Sequence, residues 1–209
     1  MKIVVFLTFV LSSISGAAQI ETSVEVKGMV NYALPLGELG QVYKKAPNYQ
    51  MGFAKSKMYK KKQSSVGISI GYLSMDSKYD TLIYEIITNN GVEYGKIHYK
   101  TYRSFQLLYN SQYDLSVSKF VALFYGYDAG FHFNIYGHYL KDPFFNEESE
   151  DRIMRWVLSP KAGLKFSITR QVALTIQSQY LAALGNASDP KMVFNHFFSV
   201  GTGLSVKLK

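Results

Sequence analysis

The chain has 209 residues, 23 Lys and Arg against 15 Asp and Glu for a formal charge of +8, and no cysteine. That length holds one domain, and the absence of cysteine excludes a lipoprotein and a disulfide-stapled secreted module, so non-covalent pairing must hold the fold together. Seventeen Tyr and fourteen Phe against one Trp and five Pro give an aromatic, strand-prone composition.

The first element is a leader. Met1-Lys2, an apolar run from Ile3 to Leu11 and the small residues Gly16-Ala17-Ala18 before Gln19 are the three parts of a secretory signal peptide over residues 1–18. The run is about half the ~20 residues that a spanning helix needs, which argues against an anchor. Cleavage after Ala18 leaves a domain over 19–209 and removes one charge, Lys2, so +8 becomes +7. Export argues against nucleic acid as the partner of this charge and for anionic lipid head groups. No later apolar run can span as a helix, so a membrane crossing requires a closed barrel in which every backbone group is paired.

Period-2 alternation then recurs in segments of about ten residues, the length of a tilted transmembrane strand. The first, 22–33, sets Val24, Val26, Val30 and Tyr32 against Glu25, Lys27 and Asn31. After a long link at 34–48, segment 49–58 places Lys55 and Lys57 on the face of Met51 and Phe53, a conflict that predicts a bulge or an early strand end. Lys55, Lys57, Lys60, Lys61 and Lys62 read as a solvated turn near 59–63. Segment 64–74 sets Val66, Ile68, Ile70 and Tyr72 against Ser65, Gly67, Ser69 and Gly71. A long link at 75–98 leads to 99–112, where Phe105, Leu107 and Tyr109 oppose Ser104, Gln106 and Asn110, with Arg103 on the apolar face near a rim.

A short turn at 113–118 precedes 119–136, with Val121, Leu123, Tyr125, Tyr127, Phe131, Phe133 and Ile135 opposite Gly126, Asp128, Gly130, His132 and Asn134. A long link at 137–155 follows. Segment 156–168 sets Trp156, Leu158, Leu164, Phe166 and Ile168 against Ser159, Lys161, Gly163, Lys165 and Ser167, and Thr169-Arg170 turns the chain into 171–183. There Val172, Leu174, Ile176 and Tyr180 oppose Gln171, Thr175, Gln177 and Gln179. A last long link, 184–194, leads to 195–208, where Phe198, Val200, Leu204, Val206 and Leu208 oppose Ser199, Gly201, Gly203, Ser205 and Lys207.

Eight strands with long and short links in alternation predict an all-β, eight-stranded antiparallel up-and-down transmembrane barrel, with short periplasmic turns, longer external loops and periplasmic termini. Alternation alone does not separate this from a soluble lipocalin-like barrel with its apolar face inside. Polar faces rich in Gly and Ser, aromatic residues toward strand ends (Tyr32, Tyr49, Tyr72, Tyr99, Tyr109, Trp156, Tyr180, Phe198) and the link asymmetry favour the membrane.

The inward charges Glu25, Lys27, Asp128, Lys161, Lys165 and Lys207 are expected to pair and plug the lumen, with Asp128 near Lys161 and Lys165, and Glu25 meeting Lys207 where the first and last strands close. Four histidines, His98, His132, His138 and His196, show no metal-ligand spacing, and no cofactor or metal is expected. A Ser/His/acid set of Asp76-Ser77 with His98 or His138 lies in the external links, without a Gly-x-Ser-x-Gly elbow. Asp142, Glu147, Glu148, Glu150 and Asp151 form an external acidic patch able to meet divalent cations or a basic partner, or to stay solvated.

The segment Val24-Glu25-Val26-Lys27-Gly28, continuing through Tyr32-Ala33-Leu34-Pro35-Leu36-Gly37-Glu38-Leu39 to Tyr49-Gln50-Met51-Gly52-Phe53, resembles the opening hairpin of the outer-membrane β-barrel domain family. The ending Gly201-x-Gly203-Leu204-x-Val206-x-Leu208 resembles that family's closing strand, although it ends in Lys209 and not in an aromatic residue. The resemblance implies an outer-membrane location in a Gram-negative envelope, contact with outer-membrane lipids and lipopolysaccharide, and insertion by the barrel-assembly machinery. It fixes no activity. The reading is a non-enzymatic surface barrel whose external loops serve structure or a protein partner. The alternatives are a narrow pore or accessory subunit of a transport or secretion complex, a lipid A or phospholipid hydrolase, and a soluble periplasmic barrel.

Overall fold

The computed structural model describes residues 21–59, 62–79, 81–88, 91–141, 146–184 and 196–208. The expected signal peptide, Lys60, Lys61 and Asp142 lie outside them. The described residues form ten strands: β1 (Glu21–Pro35), β2 (Ala46–Tyr59), β3 (Lys62–Met75), β4 (Leu82–Thr88), β5 (Gly91–Tyr99), β6 (Tyr102–Ser116), β7 (Val121–Lys141), β8 (Asn146–Ser167), β9 (Val172–Leu184) and β10 (His196–Leu208). A one-and-a-half-turn helix, α1 (Gly37–Val42), joins β1 to β2. Among the described residues no helix is long and apolar enough to cross a membrane.

Eight of the strands make a closed ring in the order β1-β2-β3-β6-β7-β8-β9-β10, each antiparallel to its neighbours, and β10 pairs back onto β1 from Val24↔Leu208 to Pro35↔Phe197. Closure leaves no unpaired strand edge in the wall, which lipid demands. One end of the ring carries the tight turns, the start of β1 and the end of β10, and is here called the turn end. The other is the loop end.

The alternation read from sequence sorts onto the two faces as expected. Val30, Tyr49, Ile68, Ile70, Leu107, Tyr125, Trp156 and Leu204 are exposed on the outer surface, while Glu25, Asn31, Ser65, Gln106, Asp128, Lys165, Thr175 and Ser199 are buried inside. In β1 the outward band runs from Val24 to Tyr32, about nine residues, enough for a tilted strand to cross hydrocarbon. Aromatic residues edge it. Tyr72, Phe105 and Phe133 lie abreast near the loop end, with the Tyr72 and Phe105 rings 5.1 Å apart, and Tyr113 and Tyr125 stack at 5.8 Å near the turn end.

Three local expectations need correction. Strand β2 shows neither a bulge nor an early end: it pairs regularly with β3 to Tyr59↔Lys62, and Lys55 sits on the outer face between Val24 and Val66. A long lysine can lie along apolar surface there and lift its ammonium toward the rim. The link 75–98 is not a loop, because it folds into the β4–β5 hairpin, whose turn uses Gly91 at φ +127, a value L side chains rarely adopt. Nor is 137–155 a loop: β7 and β8 run on past the ring and stay paired to Lys141↔Asn146. Strand β5 joins β7 from Lys96↔Lys141 to Tyr99↔His138, so β4, β5 and the outer parts of β7 and β8 form a four-stranded arm beyond the loop end.

Candidate functional site: the lumen and the loop-end rim

The inward face changes character along the barrel axis. Inside the barrel toward the turn end, Phe124 is fully buried opposite Gly163, where a Cβ would come within 2.7 Å of its ring, so Gly163 makes room for this aromatic filler. Beside it lies an ionic layer. Lys165 Nζ donates to Glu25 Oε1 at 2.5 Å and stands 3.6 Å from Asp114 Oδ2, tying β8 to β1 and β6 across the lumen. Lys161 Nζ donates to Asp128 Oδ1 at 2.5 Å, and the same carboxylate accepts from Asn110 at 2.7 Å and, through its other oxygen, from Gln179 at 3.0 Å. Lys27 Nζ donates to Gln112 Oε1 at 2.9 Å.

Of the interior charges named from sequence, Glu25, Lys27, Asp128, Lys161 and Lys165 meet in this layer and Lys207 does not, and of the expected pairs Asp128 keeps Lys161 but not Lys165. Glu25 and Lys207 are opposed in the β1–β10 register, but Lys207 Nζ reaches Gln63 Oε1 at 3.0 Å and Glu25 takes Lys165. Lys207 lies nearer the turn end, at a vestibule of about 860 Å³ shared with Ser56, Gln63 and Arg170, where water competes for its ammonium. Asp114, which the sequence reading did not single out, completes the layer. It falls in the segment taken as a turn, 113–118, which is strand up to Ser116. Among Lys27, Gln50, Gln112, Asp128, Lys161 and Gln177 a space of about 40 Å³ remains, enough for a few water molecules.

Toward the loop end the lumen becomes apolar. Leu73, Met75, Tyr102, Val157, Leu181, Ala183 and Phe197 point inward on the faces that carry polar residues lower down, and α1 folds over them with Leu39, while Tyr43 just beyond the helix also packs in. Tyr102 is the hub, its ring 5.6 Å from Tyr43, 6.0 Å from Phe197 and 6.1 Å from Tyr136. This aromatic cap packs inside the mouth. Burial, reinforced by Tyr99 and Tyr136, pushes the Tyr43 phenol up to about 12. Backbone bonds fasten the cap to the base of the arm: Lys44 N donates to Asp76 O at 2.9 Å, Lys78 N to Val42 O at 2.7 Å, and Tyr43 bridges Ser77.

A cleft of about 530 Å³ lies at that base, lined by Lys44, Asp76, Ser77, His98, Lys100, Arg103, Tyr136 and Glu150 among others. Asp76, Ser77 and His98 of the hydrolase candidate therefore share one cleft, whereas His138 is not among its lining residues. The Ser77 hydroxyl donates to Tyr79 O at 2.6 Å and accepts from Tyr79 N at 3.2 Å, a local turn that commits its proton to a carbonyl and not to an imidazole. Asp76 Oδ1 accepts from Thr101 at 3.3 Å. His132 is a lumen residue whose Nδ1 lies 3.4 Å from Ser104 Oγ, and His196 stacks beside Tyr180.

The acidic patch is strand, not loop. Glu147, Glu148, Glu150 and Asp151 lie along outer β8, so neighbours alternate between faces and do not converge. Glu148 pairs with Lys100 at 2.5 Å and Glu150 with Arg152 at 2.8 Å. The Arg152 guanidinium, with Lys100 and Arg103 farther off, holds the Glu150 carboxyl below its usual range.

No protein-family model matches the sequence, and no curated protein matches it. Solved structures do. The outer membrane protease OmpT from Escherichia coli aligns with 94% of this chain and 100% of its own at 8% identity and a TM-score of 0.52. Neisserial surface protein A (NspA) covers 91% of this chain and 100% of its own at 12% identity and TM-score 0.48. The N-terminal β-barrel domain of OprF from Pseudomonas aeruginosa covers 91% and 100% at 14% identity and TM-score 0.46. At such identity the likeness to OmpT concerns the fold alone. The chain has the fold of the outer-membrane β-barrels.

Proposed function

We propose, for a chain with this fold, that it resides in the outer membrane with its loop end outward and acts there as a non-enzymatic surface protein, presenting the arm and rim while the lumen stays shut. The observation that carries this reading is double closure. An ionic layer centred on Lys161 and Lys165 fills the middle of the barrel, and an aromatic cap centred on Tyr102 fills its mouth. Eight strands enclose an interior that side chains can fill. A solute would have to displace both paired charges in low dielectric and packed aromatic rings, so a role in permeation is disfavoured and the exposed arm is the part left to act.

The test is single-channel recording of the purified chain in planar bilayers. No conductance steps are expected from the native chain, nor from a variant lacking residues 37–42, because the ionic layer remains. Steady native conductance would refute the closed-lumen reading and favour the pore. For the hydrolase, the engaged Ser77 hydroxyl argues against it, and unchanged lipid acylation in Ser77→Ala and His98→Ala variants is the expected result.

A further inference from the structure

Among the described residues the arm is a four-stranded sheet with two lateral edges, and they differ. Outer β8, over 146–155, carries Glu147, Glu148, Glu150, Asp151 and Arg152, the kind of charged edge that repels a stray strand. The opposite edge is β4, Leu-Ile-Tyr-Glu-Ile-Ile-Thr, which pairs with β5 on one side and is the terminal strand of the sheet on the other. It has one charge, Glu85, flanked on the outward face by Ile83 and Ile87, which are 65% and 87% exposed. An apolar edge strand, whose alternate N–H and C=O groups have no strand partner among the described residues, is a template for another strand.

We propose that β4 is a strand-addition site for an extended segment of a partner protein, one that sets apolar or β-branched residues against Ile83 and Ile87 and a lysine or arginine against Glu85. The inference rests on the outward placement of the loop end proposed above. A second copy of this chain does not fit the edge. Copies inserted alike in one membrane all run β4 away from the bilayer, so side-by-side edges would be parallel. A two-fold axis along the membrane normal would also turn their Ile83–Ile87 faces to opposite sides, which no ladder tolerates. Glu85 selects by charge, since an opposite charge across an added strand stabilises it and a like charge destabilises it.

The experiment uses the full chain in lipid nanodiscs, with hydrogen exchange of residues 82–88 read against nine-residue synthetic peptides of alternating valine and threonine. A peptide with a central lysine is expected to protect these amides in a saturable way, and one with a central glutamate to bind about fivefold more weakly. The lysine peptide with alternate amides N-methylated is expected to give no protection. In Glu85→Lys, an exposed site whose folding is checked by migration on unboiled gels, the charge preference should reverse. Absence of protection, equal protection by the N-methylated peptide, an unreversed preference, or protection that grows with protein concentration alone would each overturn the assignment. None of these outcomes touches the conductance test, so the two readings fail separately.

Discussion

Lys165→Met removes the cation that joins three strands across the lumen. Its ammonium is 2.5 Å from Glu25 and 3.6 Å from Asp114, and the side chains are 7%, 0% and 6% exposed, so neither carboxylate can turn to bulk water. At an effective dielectric near 20 the gross attractions are about 7 and 5 kcal/mol, much of it offset by desolvation of the three charges. Removing one partner of a buried pair leaves the other uncompensated, at a cost of about 3–5 kcal/mol. Methionine fills nearly the same volume, so little of the loss comes from a cavity. The double variant Glu25→Gln/Lys165→Met should regain about 2 kcal/mol, because Asp114 keeps its 2.6 Å bond from Gln112. Urea unfolding in detergent micelles, followed by the single tryptophan, Trp156, on the outer wall, reads both. A cost under about 1 kcal/mol for the single variant, or a double variant less stable than either single, would refute the ionic layer as a structural tie.

Alkaline titration should loosen the cap. Tyr43 ionises near 12 in the folded chain against about 10 unfolded, so the folded state holds this proton more tightly. Its contribution is complete below about pH 10 and is lost as the pH rises toward 12, which tyrosinate absorbance together with protease nicking near 37–44 would report; Tyr43→Phe should remove that dependence. Gly163→Val places a side chain against Phe124 and, at 2.0 Å, the carbonyl oxygen of Ile176, and a loss of about 1–3 kcal/mol or more is expected in the same urea assay.

Much of the ring was legible because a barrel wall has two solvents and each strand alternates between them. The β1 residues Val24, Glu25, Val26 and Lys27 point by turns outward and inward. That contrast fails where both faces meet the same medium. In β4, Leu82, Tyr84 and Ile86 alternate with Ile83 and Ile87, apolar on both sides, and in outer β8 charged residues fall on both faces, so neither segment announced a strand. The aromatic cap was missed for a related reason: Leu73, Met75 and Phe197 continue the polar face of their strands, and alternation says nothing about a face that turns apolar toward one end. The lumen charges were readable as a set because a buried charge must find a partner, but Lys165 chose Glu25 over Asp128 by position across the barrel, which no single strand reveals.

The central claim is that the apolar face of this barrel meets hydrocarbon. With no native cysteine, single replacements can carry a fluorophore without interference. Ile70 is 61% exposed on the outer wall, and its neighbour Ser69 is 8% exposed in the lumen. In vesicles containing lipids brominated on their acyl chains, a label at Ile70→Cys should be strongly quenched and one at Ser69→Cys should not. The opposite ranking would mean that the greasy face looks inward, and the membrane account would be wrong.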